Sequence, residues 1–137
     1  MILTEVKFQK FRKSEIYFIV FVLLNILAGC GSDLEIEAFS SEIWKSDRNG
    51  CNSKRVGEID ALIGARNILL GKSEHEILSL LGRPDKNELY RRSQKFFIYY
   101  IDPAPTCSGD SHDENERKYL SIRINAIGNI SEIYLYK

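Results

Sequence analysis

The run Leu69-Leu70-Gly71-Lys72-Ser73-Glu74-His75-Glu76-Ile77-Leu78-Ser79-Leu80-Leu81-Gly82-Arg83-Pro84-Asp85 carries a helix with both of its ends written into it. Ser73 followed three residues later by Glu76 is a capping box: the hydroxyl accepts an N–H of the first turn, and the carboxylate reaches back to the Ser73 N–H. Ile77, Leu78 and Leu81 form the side to be buried. Gly82 ends the helix and Pro84 prevents its return. Upstream, Val56, Ile59, Ile63 and Leu70 fall on one helical face with Leu62 beside it, which predicts a helix over about 54–70 that stops at Gly71. Arg66 lies at the edge of that stripe, where it snorkels or forms an ion pair.

Downstream the period changes. Residues 87–92 are polar and suit an edge strand, whereas 95–101 (Phe96-Phe97-Ile98-Tyr99-Tyr100-Ile101) is apolar on both parities and suits a central one. Leu120, Ile122 and Ile124 alternate with Tyr119, Ser121 and Arg123, so that strand buries one face. Gly128-Asn129 reads as a two-residue hairpin turn, with 130–136 returning and Ile133 and Leu135 pointing inward. Helices followed by strands mean an α+β domain.

The chain has 137 residues, 19 Lys+Arg against 19 Asp+Glu, and 44% apolar residues, enough for one domain with a core. Setting aside residues 1–29, which hold Lys7, Lys10, Arg12 and Lys13 against Glu5 and Glu15, leaves a slightly acidic remainder. A nucleic-acid groove or a polybasic membrane patch does not fit that balance.

The N-terminus has the pattern of an address. A basic, polar start is followed by Ile16-Tyr17-Phe18-Ile19-Val20-Phe21-Val22-Leu23-Leu24-Asn25-Ile26-Leu27, shorter than the roughly 20 apolar residues a spanning helix needs. Leu27-Ala28-Gly29-Cys30 looks like a lipobox, the bacterial signal after which the Cys is acylated and becomes the new N-terminus. The other reading is an ordinary signal or anchor with a chance cysteine. On the lipobox reading, residues 1–29 are a lipoprotein signal peptide, 30–45 are the lipidated Cys30 and a tether, and 46–137 are the domain. Acylated Cys30 then makes the lipid membrane a partner, with more than one acyl chain making the anchorage stable. Cys51 and Cys107 remain, an even number in an oxidising compartment, and neither lies in a Cys-x-x-Cys pair. A disulfide between them is worth roughly 4 kcal/mol by loop-closure entropy. Two separate buried thiols are the alternative.

The segment from Leu69 to Asp85 resembles the helical signature of the SmpA/OmlA (BamE-like) family of small outer-membrane lipoproteins, whose fold is also called β-lactamase-inhibitor-protein-like. The shared features are a Gly before a capped short helix, and Leu-Gly-x-Pro leading into a sheet with an aromatic strand and a final hairpin. The resemblance covers residues 56–137. Lys72 stands where the family commonly has Met, and the acidic loop and the Cys51–Cys107 pair lie outside the shared pattern. The resemblance implies two helices packed on one face of a three- to four-stranded antiparallel sheet, used for protein contacts and without catalysis. It also implies a location at the outer membrane of a diderm bacterium, on the periplasmic or the surface side.

Chemistry-bearing patterns are sparse. Gly71-Lys72-Ser73 lacks the earlier Gly of a phosphate loop, that position being Arg66, so no nucleotide is expected. Ser111-His112 has no nucleophile elbow around it, and His75 is the only other His, so no catalytic residue is assigned. Asp110, His112, Asp113, Glu114 and Glu116 lack the bend Gly of a calcium loop and the thiolates of a zinc site, so neither metal nor cofactor is expected. The informative surface is the sheet face carrying Tyr119, Arg123, Tyr134 and Tyr136, with Tyr99 or Tyr100 according to register. Tyr and Arg concentrate at interface hot spots because they offer area and a polar tip at little entropy cost. The competing account is that aromatics simply suit strands, or that the segment with Phe39 and Trp44 folds over them. The expected function is a non-enzymatic, protein-binding envelope lipoprotein in outer-membrane assembly or maintenance; the alternative is an inhibitor or immunity-type module that blocks an enzyme through the same face.

Overall fold

The structure, a computed structural model, describes Tyr17, residues 34–108 and residues 117–137. The lipobox around Cys30 and the acidic loop 110–116 lie outside the described residues.

Helix α1 (Ser41–Ser46) starts at Ser40, whose hydroxyl accepts the Ile43 N–H. A 3-10 turn at Arg48–Gly50 follows. The single helix expected over 54–70 is two helices, α2 (Arg55–Gly64) and α3 (Arg66–Leu69), separated at Ala65 where ψ rises to 6°. The buried stripe also differs from expectation. Arg55, Ile59 and Leu62 face inward at i, i+4 and i+7, so Val56 is 48% exposed; past the break Leu69 is buried and Leu70, at the end of α3, is 37% exposed. The cause is Arg55: its guanidinium is claimed by buried groups below, which rotates its neighbour Val56 out to solvent.

Helix α4 (Glu74–Leu81) has the expected capping box, with Glu76 Oε2 accepting the Ser73 N–H at 2.8 Å and Ser73 Oγ accepting the Glu76 N–H at 3.2 Å. Ile77, Leu80 and Leu81 are buried and Leu78 is half-buried. Gly82 ends the helix at φ +72°, where a side chain would be strained.

Strands β1 (Lys86–Tyr90) and β2 (Gln94–Tyr100), a short helix α5 (Pro105–Ser108), and strands β3 (Tyr119–Ile124) and β4 (Ile130–Tyr136) complete the chain. The domain is therefore α+β, with a four-stranded antiparallel sheet in the order β1-β2-β3-β4. The polar edge and aromatic central strands fall where the sequence put them. The last hairpin does not have the expected two-residue turn. Asn125 N–H bonds Asn129 O at 2.8 Å and Gly128 N–H bonds Asn125 O at 3.0 Å, so the loop has three residues, Ala126, Ile127 and Gly128. Gly128 sits at φ +84°, the left-handed position that ends such loops. Asn125 decides the matter: its Oδ1 accepts the N–H of both Ile127 and Asn129.

The core lies between the helices and one parity of the sheet. Phe97, Tyr99, Leu120, Ile122, Ile124 and Ile133 meet Trp44, Ile59, Leu62, Leu69, Ile77 and Leu81, and Leu135 packs at its margin. Residues 34–45, read from sequence as the end of a tether, belong to this core. Trp44 is 0% exposed and its ring lies 5.8 Å from Phe39 and 6.0 Å from Tyr99. A buried Trp is among the largest apolar contributions one side chain can make, and the short helices need it.

Beneath the core sits a buried polar node. Arg55 pairs with Asp85, donates to Tyr100 O at 2.9 Å and Trp44 O at 3.2 Å, and lies 4.9 Å from the Trp44 ring centre. Asp85 also accepts the N–H of Asn49 and Tyr100. Asp47, wholly buried, accepts the N–H of Asn52 and Arg55. These bonds join α1, the 3-10 turn, α2 and β2. Gly50 is required at the join: at φ +66°, an added Cβ would lie 2.8 Å from Asp102 O.

Candidate functional site

Pairing alternation sorts the sheet residues onto two faces. The partners Phe96–Arg123–Glu132, Ile98–Ser121–Tyr134 and Tyr100–Tyr119–Tyr136 run across β2, β3 and β4 on the side away from the core. All four sequence-predicted residues, Tyr119, Arg123, Tyr134 and Tyr136, share this side. Register settles the open choice: Tyr100 joins them, while Tyr99 is in the core, its hydroxyl donating to Gly82 O at 2.9 Å. Burial pushes the Tyr99 hydroxyl pKa well up.

The face divides into two parts. At one end Tyr119 and Tyr136 stack at 4.8 Å, with Tyr134 at 6.2 Å from Tyr136 and Tyr100 at 6.5 Å from Tyr119. A cleft of about 320 Å³ lies among Ile98, Tyr100, Tyr119 and Tyr136, flanked by Lys86 and Lys137. Tyr134 and Tyr136 remain 44% and 46% exposed. Large aromatic rings left exposed by a formed sheet face are a signal that a core cannot explain. At the other end Arg123 bonds Gln94 at 2.8 Å and Glu132 at 3.0 Å, and its guanidinium lies 5.4 Å from the Tyr90 ring and 5.8 Å from that of Phe96. Arg123 is thus held in one posture, with little entropy left to lose on contact. Tyr90 and Phe96 were missed from sequence; the strand register alone brings them beside Arg123.

Phe39 and Trp44 do not cover the tyrosines, because both pack in the core on the other side of the sheet. What covers part of the face is the chain after β2. Ala104 buries Ile98 and Tyr100, with Cys107 and Tyr119 packed against them. Ala104 N–H bonds Asn49 O at 2.8 Å, and Cys107 forms a disulfide with Cys51, Cα to Cα 5.4 Å. The cysteines expected to pair do so, and the bond pins α5 to the 3-10 turn.

The remaining patterns resolve as follows. Arg66 lies 5.7 Å from the Tyr134 ring, a cation–π contact. The Gly71 N–H bonds Ile130 O and the Ser73 N–H bonds Glu76, so those amides are engaged within the chain. His75 is exposed on α4. Glu76 accepts the backbone and then the hydroxyl hydrogen bond of Ser73, with Lys72 3.3 Å away, and its carboxyl pKa is lowered from 4.5 to about 2. Among the described residues no group of three or more His, Cys, Asp or Glu side chains could hold a metal ion, and no helix is long and apolar enough to cross a membrane.

No protein-family model, curated protein or solved structure matches the chain.

Proposed function

We propose that this is a non-enzymatic lipoprotein of the diderm outer membrane, similar to the SmpA/OmlA family, that binds another envelope protein in outer-membrane assembly or maintenance. An α+β domain with helices over one side of a four-stranded antiparallel sheet supports the reading, although α1 and α3 join α2 and α4 in the core where the resemblance implies two helices; acylated Cys30 supplies the anchor. The observation that carries the binding role is the aromatic face itself. Tyr100, Tyr119, Tyr134 and Tyr136 form a contiguous ring cluster on the same face as Arg123, and the two outer rings are nearly half exposed. Such a composition is that of an interface hot spot.

The test is capture from solubilised envelope by the tagged full-length protein, with a fatty-acid analogue supplied during growth. Label on the wild type and none on Cys30→Ser supports the anchor. Tyr134→Ala weakens capture of the partner by about 1–2 kcal/mol while leaving thermal stability within about 0.5 kcal/mol of wild type, because the side chain fills no core position. Lost stability with unchanged capture would show that these rings serve packing alone.

A further inference from the structure

The opposite side of β1 carries a second, different surface. Every residue of β1 is exposed, and among the described residues the strand pairs with β2 alone, on one of its two edges. Leu89 is 87% exposed and sits across from Lys95, whose ammonium pairs with Glu74 of α4 at 2.6 Å. That pair places Leu89 on the helix side of the sheet, away from the tyrosines. On the same side, Asn87, Leu78 and Phe97 line a cleft of about 300 Å³ between α4 and β1, together with Arg48 and Arg83. Arg91 and Arg92 follow directly at the hairpin tip.

All four arginines are exposed, and none has an ion-pair partner among the described residues. The acids nearby are already engaged: Glu74 by Lys95, Asp85 by Arg55, and Glu88 by Lys86 on the other face. In a chain with 19 basic and 19 acidic residues, four guanidiniums without an ion-pair partner among the described residues, two lining the cleft beside β1 and two in the turn directly after it, are a local concentration. The other sheet edge is treated differently. The start of β4 is already closed by the chain itself, with Gly71 N–H on Ile130 O at 2.9 Å and Ile130 N–H on Lys72 O at 2.8 Å.

We propose that β1 accepts an acidic, extended segment of a partner protein as a fifth strand, its carboxylates met by Arg48, Arg83, Arg91 and Arg92 and its apolar side chains by Leu89. Open backbone groups supply the affinity in such strand addition, and side chains supply the selection. Arginine suits the second task because its fork matches a carboxylate with two parallel bonds. An extended segment of about five residues spans the strand at roughly 3.4 Å per residue. A strand edge flanked by charge can also serve only to repel other edges; that account predicts no binding.

The test uses the full chain in a mild detergent and a fluorescein-labelled decapeptide of alternating Glu and Val, followed by fluorescence polarisation. Saturable binding is expected. It weakens about tenfold in Arg83→Ala/Arg92→Ala, the effect of two charge contacts, and stays unchanged in Tyr134→Ala, which separates this surface from the tyrosine face. Alternate backbone N-methylation of the probe keeps its charge and removes its donors, and binding then falls about thirtyfold or more. Equal binding of the methylated and unmethylated probes overturns strand addition, as does no binding of either. Arginine-dependent binding to phosphatidylglycerol vesicles without peptide binding assigns the stripe to lipid headgroups and also overturns it.

Discussion

Replacing Arg55 with Met tests the structural account at its most exposed point. Both side chains of the Arg55–Asp85 pair are out of solvent, at 1% and 0% exposure. Met matches the length of the aliphatic stem, so little cavity results. What is lost is the charge and three hydrogen bonds, to Asp85, Tyr100 O and Trp44 O. Asp85 keeps the N–H groups of Asn49 and Tyr100, which soften the penalty without cancelling it. Removing one partner of a buried ion pair costs about 3–5 kcal/mol, a large share of the roughly 5–15 kcal/mol that hold a domain folded. Arg55→Lys retains a cation but not the planar fork, so it cannot serve all three acceptors together, and its cost is about 1–3 kcal/mol. Equilibrium urea unfolding followed by the fluorescence of Trp44, the sole Trp, measures both. The ring lies beneath the guanidinium, so the folded-state signal itself should change in the variants. A cost below about 1.5 kcal/mol for Arg55→Met, or equal costs for Met and Lys, would refute the argument that charge pairing holds α2 to β2.

Three further outcomes are expected. Cys107→Ser lowers stability by about 2–5 kcal/mol in the same unfolding assay, and non-reducing peptide mapping finds Cys51 joined to Cys107. In the β1–β2 turn, Arg92 and Ser93 sit at φ +57° and +58°, a conformation that favours Asn and Gly; Arg92→Asn/Ser93→Gly therefore raises stability by about 0.5–1.5 kcal/mol, and a loss would mean that the turn is shaped differently. The third concerns Glu76, whose folded pKa lies below its ordinary value. The unfolded chain therefore binds the proton first as pH falls, and the stabilisation, fully present above pH 4.5, is lost progressively down to about 2. Glu76→Gln flattens the stability–pH curve in that window; an unchanged slope would place the effect elsewhere.

Local chemistry is legible in this sequence wherever neighbours in the chain settle it. The Ser73–Glu76 capping box, the Gly82 stop, the polar edge strand, the aromatic central strand and the pairing of Cys51 with Cys107 all follow from residues close together or from simple counting. The side of the sheet taken by Tyr119, Arg123, Tyr134 and Tyr136 follows as well, because strand alternation leaves them no place once Leu120, Ile122 and Ile133 claim the core. Tertiary structure decided what depends on partners distant in the chain. Arg55 looks like a surface residue until Asp85, thirty positions on, appears beside it; that pairing turns α2 and puts Val56 into solvent. Trp44 and residues 34–45 read as tether because short polar segments carry no period, yet a gap beside Tyr99 gives the indole a place to be buried. Asn125 makes the final turn three residues long through its own side chain, overriding the Gly-Asn signal. The two candidate surfaces are tertiary for the same reason. Arg123 meets Tyr90 and Phe96, and Arg48 comes to line one cleft with Arg83 and Asn87, only because strand register and the packing of α4 bring distant residues together, and neither is encoded in any local run.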